Sequence, residues 1–500
     1  MIFELRNITK YYGDTLANDD ISIHLNEGEI LCVVGENGAG KSTIMKILYG
    51  LEQPSSGEIL VKGQPVHFRD PSDAMAHGIG MVQQHFMLFE SLTVAENIVF
   101  KREPKKGPLL DKKAMLAAVR ELSERYKLKI DPSARIEDCP VGLRQRVEIL
   151  KILYQNAEII IFDEPSAVLT PIEVEALLQT MKELAAAGKS IVLITHKLNE
   201  VMAVADRIYV MRNGQLVAER KKEETGTDEL AYLMVGHHPA RWEIPAVKTG
   251  ETLLSTEELS LHKDGRDVLD KLSIHVDGGE VVGIAGVSGN GQSELESVLT
   301  GLDAPTGGKV FLCGRDVTHA SVHERRELGM AHISEDRFLW GGAVDGTLSE
   351  NAIMAKEEKE PYNKKGFLQK RKITAYAEKL IERFSVKAGS TDSLLGELSG
   401  GNAQKLVAAR EIMMETPVLI CCEPTRGIDI GASDFIHNEI LNKREAGDAV
   451  LLISSELSEI TTLSDRIYVM FEGRIVGEFK RGAVDERALG LLMLGGKIDE

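Results

Sequence analysis

Several large classes of protein are excluded by what this chain has little of. Its 500 residues include only five cysteines (Cys32, Cys139, Cys313, Cys421 and Cys422), with no C-x-x-C pair. That argues against a disulfide scaffold or a zinc-spaced cysteine framework. Four of the five lie in or beside apolar runs and read as small buried hydrophobes in a reducing compartment, with a vicinal Cys421–Cys422 disulfide as the alternative. Basic charge is also in short supply: 59 Lys and Arg face 77 Asp and Glu, for a net charge of -18. Such a balance disfavours a chain whose main work is neutralising nucleic-acid phosphates or adhering to anionic lipid. No apolar run approaches the roughly 18 residues of a membrane span. The opening segment MIFELRNITK has neither the basic head nor the apolar core of a signal peptide. These absences lead us to expect a cytosolic protein. With 43% hydrophobic and 27% charged residues the composition is that of a globular protein, and the length exceeds what one core supports, so two to four folding units are expected.

What is present first is a duplication. Ala205-Asp206-Arg207-Ile208-Tyr209-Val210-Met211 returns as Ser464-Asp465-Arg466-Ile467-Tyr468-Val469-Met470, an offset of 259 residues. Leu16 to Gly35 is answered in the same way by Leu269 to Gly286. A repeat of roughly 240 residues is large enough to fold alone. We expect a first domain over 1–236, an extended linker over 237–250 that carries two prolines, and a second domain over 251–500. Apolar runs such as Ile159 to Phe162 and Ile191 to Ile194 alternate with amphipathic stretches such as Ile172 to Ala187. That alternation predicts an α/β fold with a mostly parallel sheet covered by helices. Charged stretches near 96–154 and 350–414 predict a separate helical subdomain in each half.

The chemistry begins at Gly35-Glu36-Asn37-Gly38-Ala39-Gly40-Lys41-Ser42-Thr43, which matches G-x-x-x-x-G-K-[ST] directly after the apolar run Ile30 to Val34. Strand, glycine loop and helix in that order make a phosphate cradle. Loop N–H groups and the helix N-terminus face phosphate oxygens, Lys41 neutralises β/γ charge, and the Ser42 hydroxyl is a Mg²⁺ ligand. A plain strand-to-helix turn is the competing reading, and the companion motifs argue against it. Tyr12 precedes the loop with a ring able to stack on a base, although alone it reads more readily as an ordinary strand tyrosine. Gln84 can ligate Mg²⁺ and sense the attacking water, or be a polar loop residue. The apolar strand from Ile159 ends in Asp163-Glu164, where Asp163 would hold the metal shell and Glu164 would polarise water towards the γ-phosphate. A second apolar strand ends in Thr195-His196, and within the set His196 reads as the γ-phosphate contact.

The whole order resembles the ATP-binding cassette (ABC) ATPase family over both halves and nearly the entire chain. The resemblance implies two tandem ABC ATPase cassettes, each a P-loop NTPase core with a β-rich edge subdomain and a helical subdomain. ATP and Mg²⁺ are the implied cofactors, with Ser42, Gln84 and Asp163 as metal ligands and Glu164, His196 and Gln84 in catalysis. It also implies a head-to-tail sandwich in which each ATP lies between one half's phosphate loop and the other half's signature. The second half has that signature intact in Leu398-Ser399-Gly400-Gly401-Asn402-Ala403-Gln404, so Ser399, Gly400, Gly401 and Gln404 join the nucleotide-binding set. The first half reads Cys139-Pro140-Val141-Gly142-Leu143-Arg144-Gln145, with Pro140 in the serine position. The second phosphate loop, Gly286-Val287-Ser288-Gly289-Asn290-Gly291-Gln292-Ser293, keeps Gly286, Gly289, Gly291 and Ser293 but has Gln292 for lysine. Cys422 replaces the metal-shell aspartate, Glu423 keeps the glutamate, Ser455 replaces the histidine, and Glu335 is the gap-dependent equivalent of Gln84. In the D-loop, Thr170 of the first half stands where the second half has Asp429. The expectation is one complete hydrolytic site and one degenerate site.

Tandem ATPases with this asymmetry resemble the ATP-binding subunits of bacterial simple-sugar and nucleoside importers. The segment Gly80 to Phe89 tilts the resemblance towards the nucleoside branch. It implies two integral-membrane permease subunits and an extracytoplasmic solute-binding protein as partners. Location would be peripheral, at the cytoplasmic face of a bacterial membrane, held by the permeases rather than by lipid, with no nucleic-acid partner. The alternative is a soluble tandem ABC ATPase acting on ribosomes, a class that resembles two intact cassettes with a long charged linker.

Overall fold

A computed structural model of the chain describes all residues except 14, 37, 84–85, 108, 167–168, 237–243, 246–247, 264, 288, 429 and 497–500. The chain divides into two compact units, Met1–Pro239 and Ala240–Glu500.

In the first unit a six-stranded sheet runs in the order Gln215–Lys221, Arg207–Arg212, Ile30–Gly35, Ser190–Ile194, Ile159–Asp163 and Ile79–Val82. All neighbours are parallel except the edge pair Arg207–Arg212 with Gln215–Lys221. The three central strands are buried at every residue, which is why they read as continuous apolar runs rather than as alternating ones. A four-stranded antiparallel sheet, ordered Thr15–Leu25, Phe3–Tyr12, Ser56–Val61 and Gln64–Val66, forms the β-rich edge. One apolar cluster joins Leu5, Ile8 and Ile21 of that sheet to Ile44, Ile47 and Leu48 of helix Lys41–Leu48 and to Val33 and Ile194 of the parallel sheet. The helix that opens at the phosphate loop is thereby fixed between both sheets.

The charged region near 96–154 contains helices Val94–Val99, Lys112–Arg125 and Val141–Tyr154, with a small hairpin of Lys105–Lys106 against Leu109–Leu110. Helix starts follow capping chemistry. Thr93 with Glu96, and Thr170 with Glu173 just before Pro171, each exchange side-chain and backbone hydrogen bonds.

The second unit repeats the core order with Arg474–Lys480, Arg466–Phe471, Val281–Ala285, Ala449–Ser454, Val418–Cys422 and Met330–Ile333. Its antiparallel sheet gains a strand, His275–Asp277, on Thr252–Lys263. Most of the expected linker lies outside the described residues. Its described Ile244 packs on the second unit's core, and the Pro245 carbonyl accepts a hydrogen bond from Arg444 Nη2 at 3.0 Å, so these two residues are anchored to that unit rather than free. All five cysteines are free thiols. Cys421 and Cys422 are successive residues of one buried strand and face opposite sides of the sheet, so the vicinal disulfide does not form. No described helix is long and apolar enough to cross a membrane.

Candidate functional site

Register brings the first unit's motifs together. Ile194 pairs with Val33 on one side and with Asp163 on the other. The carboxyl ends of three parallel strands therefore lie side by side, and the phosphate loop, His196 and Asp163-Glu164 all leave from that edge, where open α/β sheets bind ligands. The loop admits only glycine at its tightest points. Gly40 sits at φ 92°, and a Cβ there would lie 2.5 Å from the Ala17 carbonyl oxygen; one on Gly35 would lie 2.3 Å from that of Met211.

Lys41 is 4% exposed, and its ammonium donates to the carbonyls of Gly35 and Glu36 at 2.8 and 2.9 Å. Those bonds hold it inside the cradle. Burial lowers its pKa, against the opposing charges of Glu164 and Asp163. Ser42 Oγ donates to Asp163 Oδ1 at 3.2 Å. Burial and then the Glu164 charge push the Asp163 carboxyl up, against the Ser42 hydrogen bond and Lys41. A hydroxyl beside a buried carboxylate is the oxygen donor set a hard divalent cation takes, so these residues fit Mg²⁺.

Glu164 occupies the left-handed region at φ 47°, with its N–H on the Ile194 carbonyl at 3.0 Å. His196 Nδ1 approaches its Oε1 at 3.4 Å. Burial raises the Glu164 carboxyl, but the His196 hydrogen bond and charge, with Lys41 and Lys197, outweigh it and hold the group below the usual carboxylate range. Tyr12 is 43% exposed, with Lys10 Nζ over its ring at 4.9 Å and Thr43 and Glu52 near its hydroxyl. Its open ring stands beside the helix start. Asn37 and Gln84 lie outside the described residues, as do Ala167, Val168 and Asp429 of the two D-loops and Ser288 of the second phosphate loop. Thr170, in the D-loop aspartate position, is buried and caps helix Pro171–Ala186.

The second unit keeps the scaffold and changes its chemistry. Gly289 and Gly291 retain φ 92° and 107°. The Gln292 carboxamide folds against Gly286 and leaves its Oε1 buried without a hydrogen-bond partner. Ser293 Oγ donates to Glu335 Oε2 at 2.7 Å, and Glu335 pairs with Arg426 at 3.3 Å. Glu335 thus stands at the metal-ligand serine. Cys422 is 1% exposed, and its thiol is pushed up by burial and by the Glu296 carboxylate. Glu423 has the same φ of 47°, and its N–H reaches the Ile453 carbonyl at 2.9 Å. Where Glu164 meets a histidine ring, Glu423 Oε1 accepts the Ser455 backbone N–H at 2.7 Å. Burial pushes its carboxyl up to about 7, only partly opposed by Ser455.

Ser399 caps helix Gly400–Ile412, its oxygen accepting from Asn402 Nδ2 at 2.9 Å, and it is exposed. Pro140 begins the matching helix Val141–Tyr154 with no side-chain cap. Gln404 is 1% exposed and donates to the Pro424 carbonyl at 3.1 Å, as Gln145 does to Pro165 at 2.9 Å. It ties the signature helix to the acidic strand end.

Motif reading missed two bracing asparagines. Asn18, fully buried, donates to the Gly40 carbonyl at 3.1 Å, and Asn290 donates to the carbonyls of Met470 and Met493 at 3.1 and 2.9 Å. Nothing local in the sequence signals either bond, because the partners are distant in the chain. A larger cleft, lined in part by Gly28, Glu29, Lys182 and Lys222, lies at the opposite end of the first unit's sheet and has no glycine loop beside it.

A family model described as ABC transporter matches residues 18–167 and 269–426. The chain is 44% identical over 501 residues to the "Nucleoside import ATP-binding protein NupA" of Lactococcus lactis subsp. cremoris, covering 100% of this chain and 99% of that protein. It is 45% identical over 497 residues to the "Guanosine import ATP-binding protein NupO" of Bacillus subtilis, covering 99% and 97%. Among solved structures, the archaeal ribosome recycling factor aABCE1, in complex with the ribosomal stalk protein aP1, superimposes with a TM-score of 0.64 over 95% of this chain and 90% of that one. At 19% identity, that likeness is one of fold alone.

Proposed function

Because the chain belongs to the ABC transporter family, we propose that it is the ATP-hydrolysing subunit of an importer that takes up a nucleoside or a related small polar solute. The observation that carries this reading is the complete set at the first unit's strand ends: a buried Lys41 in a glycine cradle, Ser42 on Asp163, and Glu164 facing His196. The full-length relatives with nucleoside and guanosine import names supply the solute class.

Lys41 and the loop N–H groups bind the β/γ-phosphates. Ser42 and Asp163 would hold Mg²⁺, which when bound would offset charge on the phosphate oxygens. Glu164, kept ionised, takes the proton of the attacking water, and His196 holds that carboxylate in place and contacts the γ-phosphate. The second site, with Gln292, Cys422 and Ser455, binds nucleotide and turns it over poorly, because its changes fall on groups that meet transition-state charge. Two integral-membrane permeases dock the chain at the cytoplasmic face, and an extracytoplasmic solute-binding protein delivers the solute.

The test is reconstitution of the chain with its permeases in ATP-loaded proteoliposomes, with radiolabelled guanosine and ribose offered through the binding protein. ATP-dependent guanosine uptake supports the reading. Uptake of ribose alone would overturn the solute class. No uptake together with ribosome-stimulated ATPase activity would overturn the importer in favour of a translation factor.

A further inference from the structure

The second unit contains a buried group of potential metal ligands beneath its altered phosphate loop, of which only Cys422 stands in a motif position. One ligand atom each from Glu296, His332 and Cys422 lies within 4.8 Å of the others. His332 Nε2 and Glu296 Oε1 are 2.7 Å apart, and the Glu335 backbone N–H donates to the same Glu296 oxygen at 3.2 Å. Glu296 is 7% and Cys422 1% exposed, and the His332 side chain is 10% exposed. The three residues come from different elements: helix Gln292–Thr300, strand Met330–Ile333 and strand Val418–Cys422.

The first unit shows what these positions require for packing alone. Lys41 and Gln292 open equivalent helices, so Glu296 corresponds to Met45. Met81 pairs with Ile161 and His332 with Ile420, at matching places on the adjacent strand. Cys422 corresponds to Asp163, the last residue of that strand. Where the first unit has Met45 and Met81, both buried, the second has a carboxylate and an imidazole next to a thiol. Methionine fills such space without the desolvation cost of a buried carboxylate, so packing does not account for the change.

We propose that Glu296 Oε, His332 Nε2 and Cys422 Sγ form a binding site for a zinc-class divalent cation. Thiolate, imidazole and one carboxylate make a borderline-soft set that suits Zn²⁺ or Co²⁺ and is foreign to Mg²⁺. Three protein ligands leave a fourth position, which opens on the small cavity bounded by Ser293, Glu335 and Ser455. The Glu335 N–H orients the carboxylate ligand from outside the set. The second unit would thus carry a structural metal beneath its altered phosphate loop, where the first would hold Mg²⁺ at the loop itself.

The experiment is titration of the chelator-treated, reduced full-length chain with Co²⁺, followed by absorbance. We expect one equivalent to bind with a thiolate-to-cobalt charge-transfer band and the visible bands of a four-coordinate ion, both erased by one equivalent of Zn²⁺. Cys422→Ser should abolish the charge-transfer band. The double variant Glu296→Met/His332→Met, which installs the residues the first unit carries in the same places, should weaken Co²⁺ binding at least about tenfold, with its melting transition and first-site ATPase activity retained. Absence of a stoichiometric band in the wild-type chain would overturn the site. So would a band that persists in Cys422→Ser, since it would belong to another cysteine.

Discussion

At the end of the same core strand the two units hold a glutamate in the same left-handed backbone, φ 47° for both Glu164 and Glu423, each with its N–H on a carbonyl of the neighbouring strand, Ile194 and Ile453. A conformation that costs of order 1 kcal/mol or more for a residue with a Cβ has been kept twice. What differs is the group that faces the carboxylate. The His196 contact, with Lys41 and Lys197 nearby, holds the Glu164 carboxyl below the usual carboxylate range against its burial. At Glu423 the Ser455 hydrogen bonds and the Arg426 charge only partly oppose burial, to which the Glu459 carboxylate adds, and the carboxyl is pushed up to about 7. The comparison teaches that an unchanged backbone does not preserve a catalytic role. Different neighbours, with His196, Lys41 and Lys197 on one side and Ser455 and Glu459 on the other, move two identically placed carboxyls in opposite directions.

The sharpest way to break this comparison is to remove each carboxylate's charge in turn. Glu164→Gln should lower steady-state ATP turnover by about 10²- to 10⁴-fold, the usual worth of a general base, whereas Glu423→Gln should change it by less than about twofold. Comparable losses in both variants would show that the second site also hydrolyses.

Smaller, and of opposite sign, is a stability effect at Glu423. Its carboxyl is raised in the folded chain, from an ordinary value near 4.5 to about 7, so its ionisation opposes folding. Wild type and Glu423→Gln should be equally stable below about pH 4.5. As pH rises from about 4.5 the wild type should fall behind, and the loss should level off above 7 at on the order of 3 kcal/mol. Thermal melts of both proteins across pH 5 to 8 read this directly. A wild type that gains on the variant as pH rises would show that Glu423 is ionised in the fold.

The smallest expected change is at the second phosphate loop. Gln292→Lys restores a charge-assisted phosphate contact worth about 1.5 kcal/mol and should tighten nucleotide binding there about tenfold. It should leave turnover nearly unchanged, because Cys422 and Ser455 remain. Calorimetry in a Glu164→Gln background separates the two sites. A large gain in turnover from Gln292→Lys alone would place the defect in binding rather than in chemistry.

Much of this was legible in the chain. The parallel core could be read because its strands are buried on both faces and so form unbroken apolar runs, and the duplication because Asp206 to Met211 and Asp465 to Met470 are nearly the same words. The phosphate loops could be read because their glycines are dictated by close backbone approaches, such as Gly40 on Ala17. The inward bond of the Gln404 amide to Pro424 was not legible, because a motif names a residue without its direction. The helix cap at Thr170 was missed because its position was matched to a family aspartate, while the Glu173 three residues on was not weighed.

The sequence by itself determined the family, the duplication, the order of motifs and the list of altered residues, since each is carried by local spacing and residue type. Only the tertiary structure decided what those alterations mean. That Glu164 is held below and Glu423 raised above the usual carboxylate range, that Ser293 meets Glu335, and that Glu296, His332 and Cys422 converge all depend on residues between 32 and 126 positions apart being brought within a few ångströms. Charge and hydrogen bonding act through space, so the state of a carboxyl group is set by neighbours that chain order does not reveal.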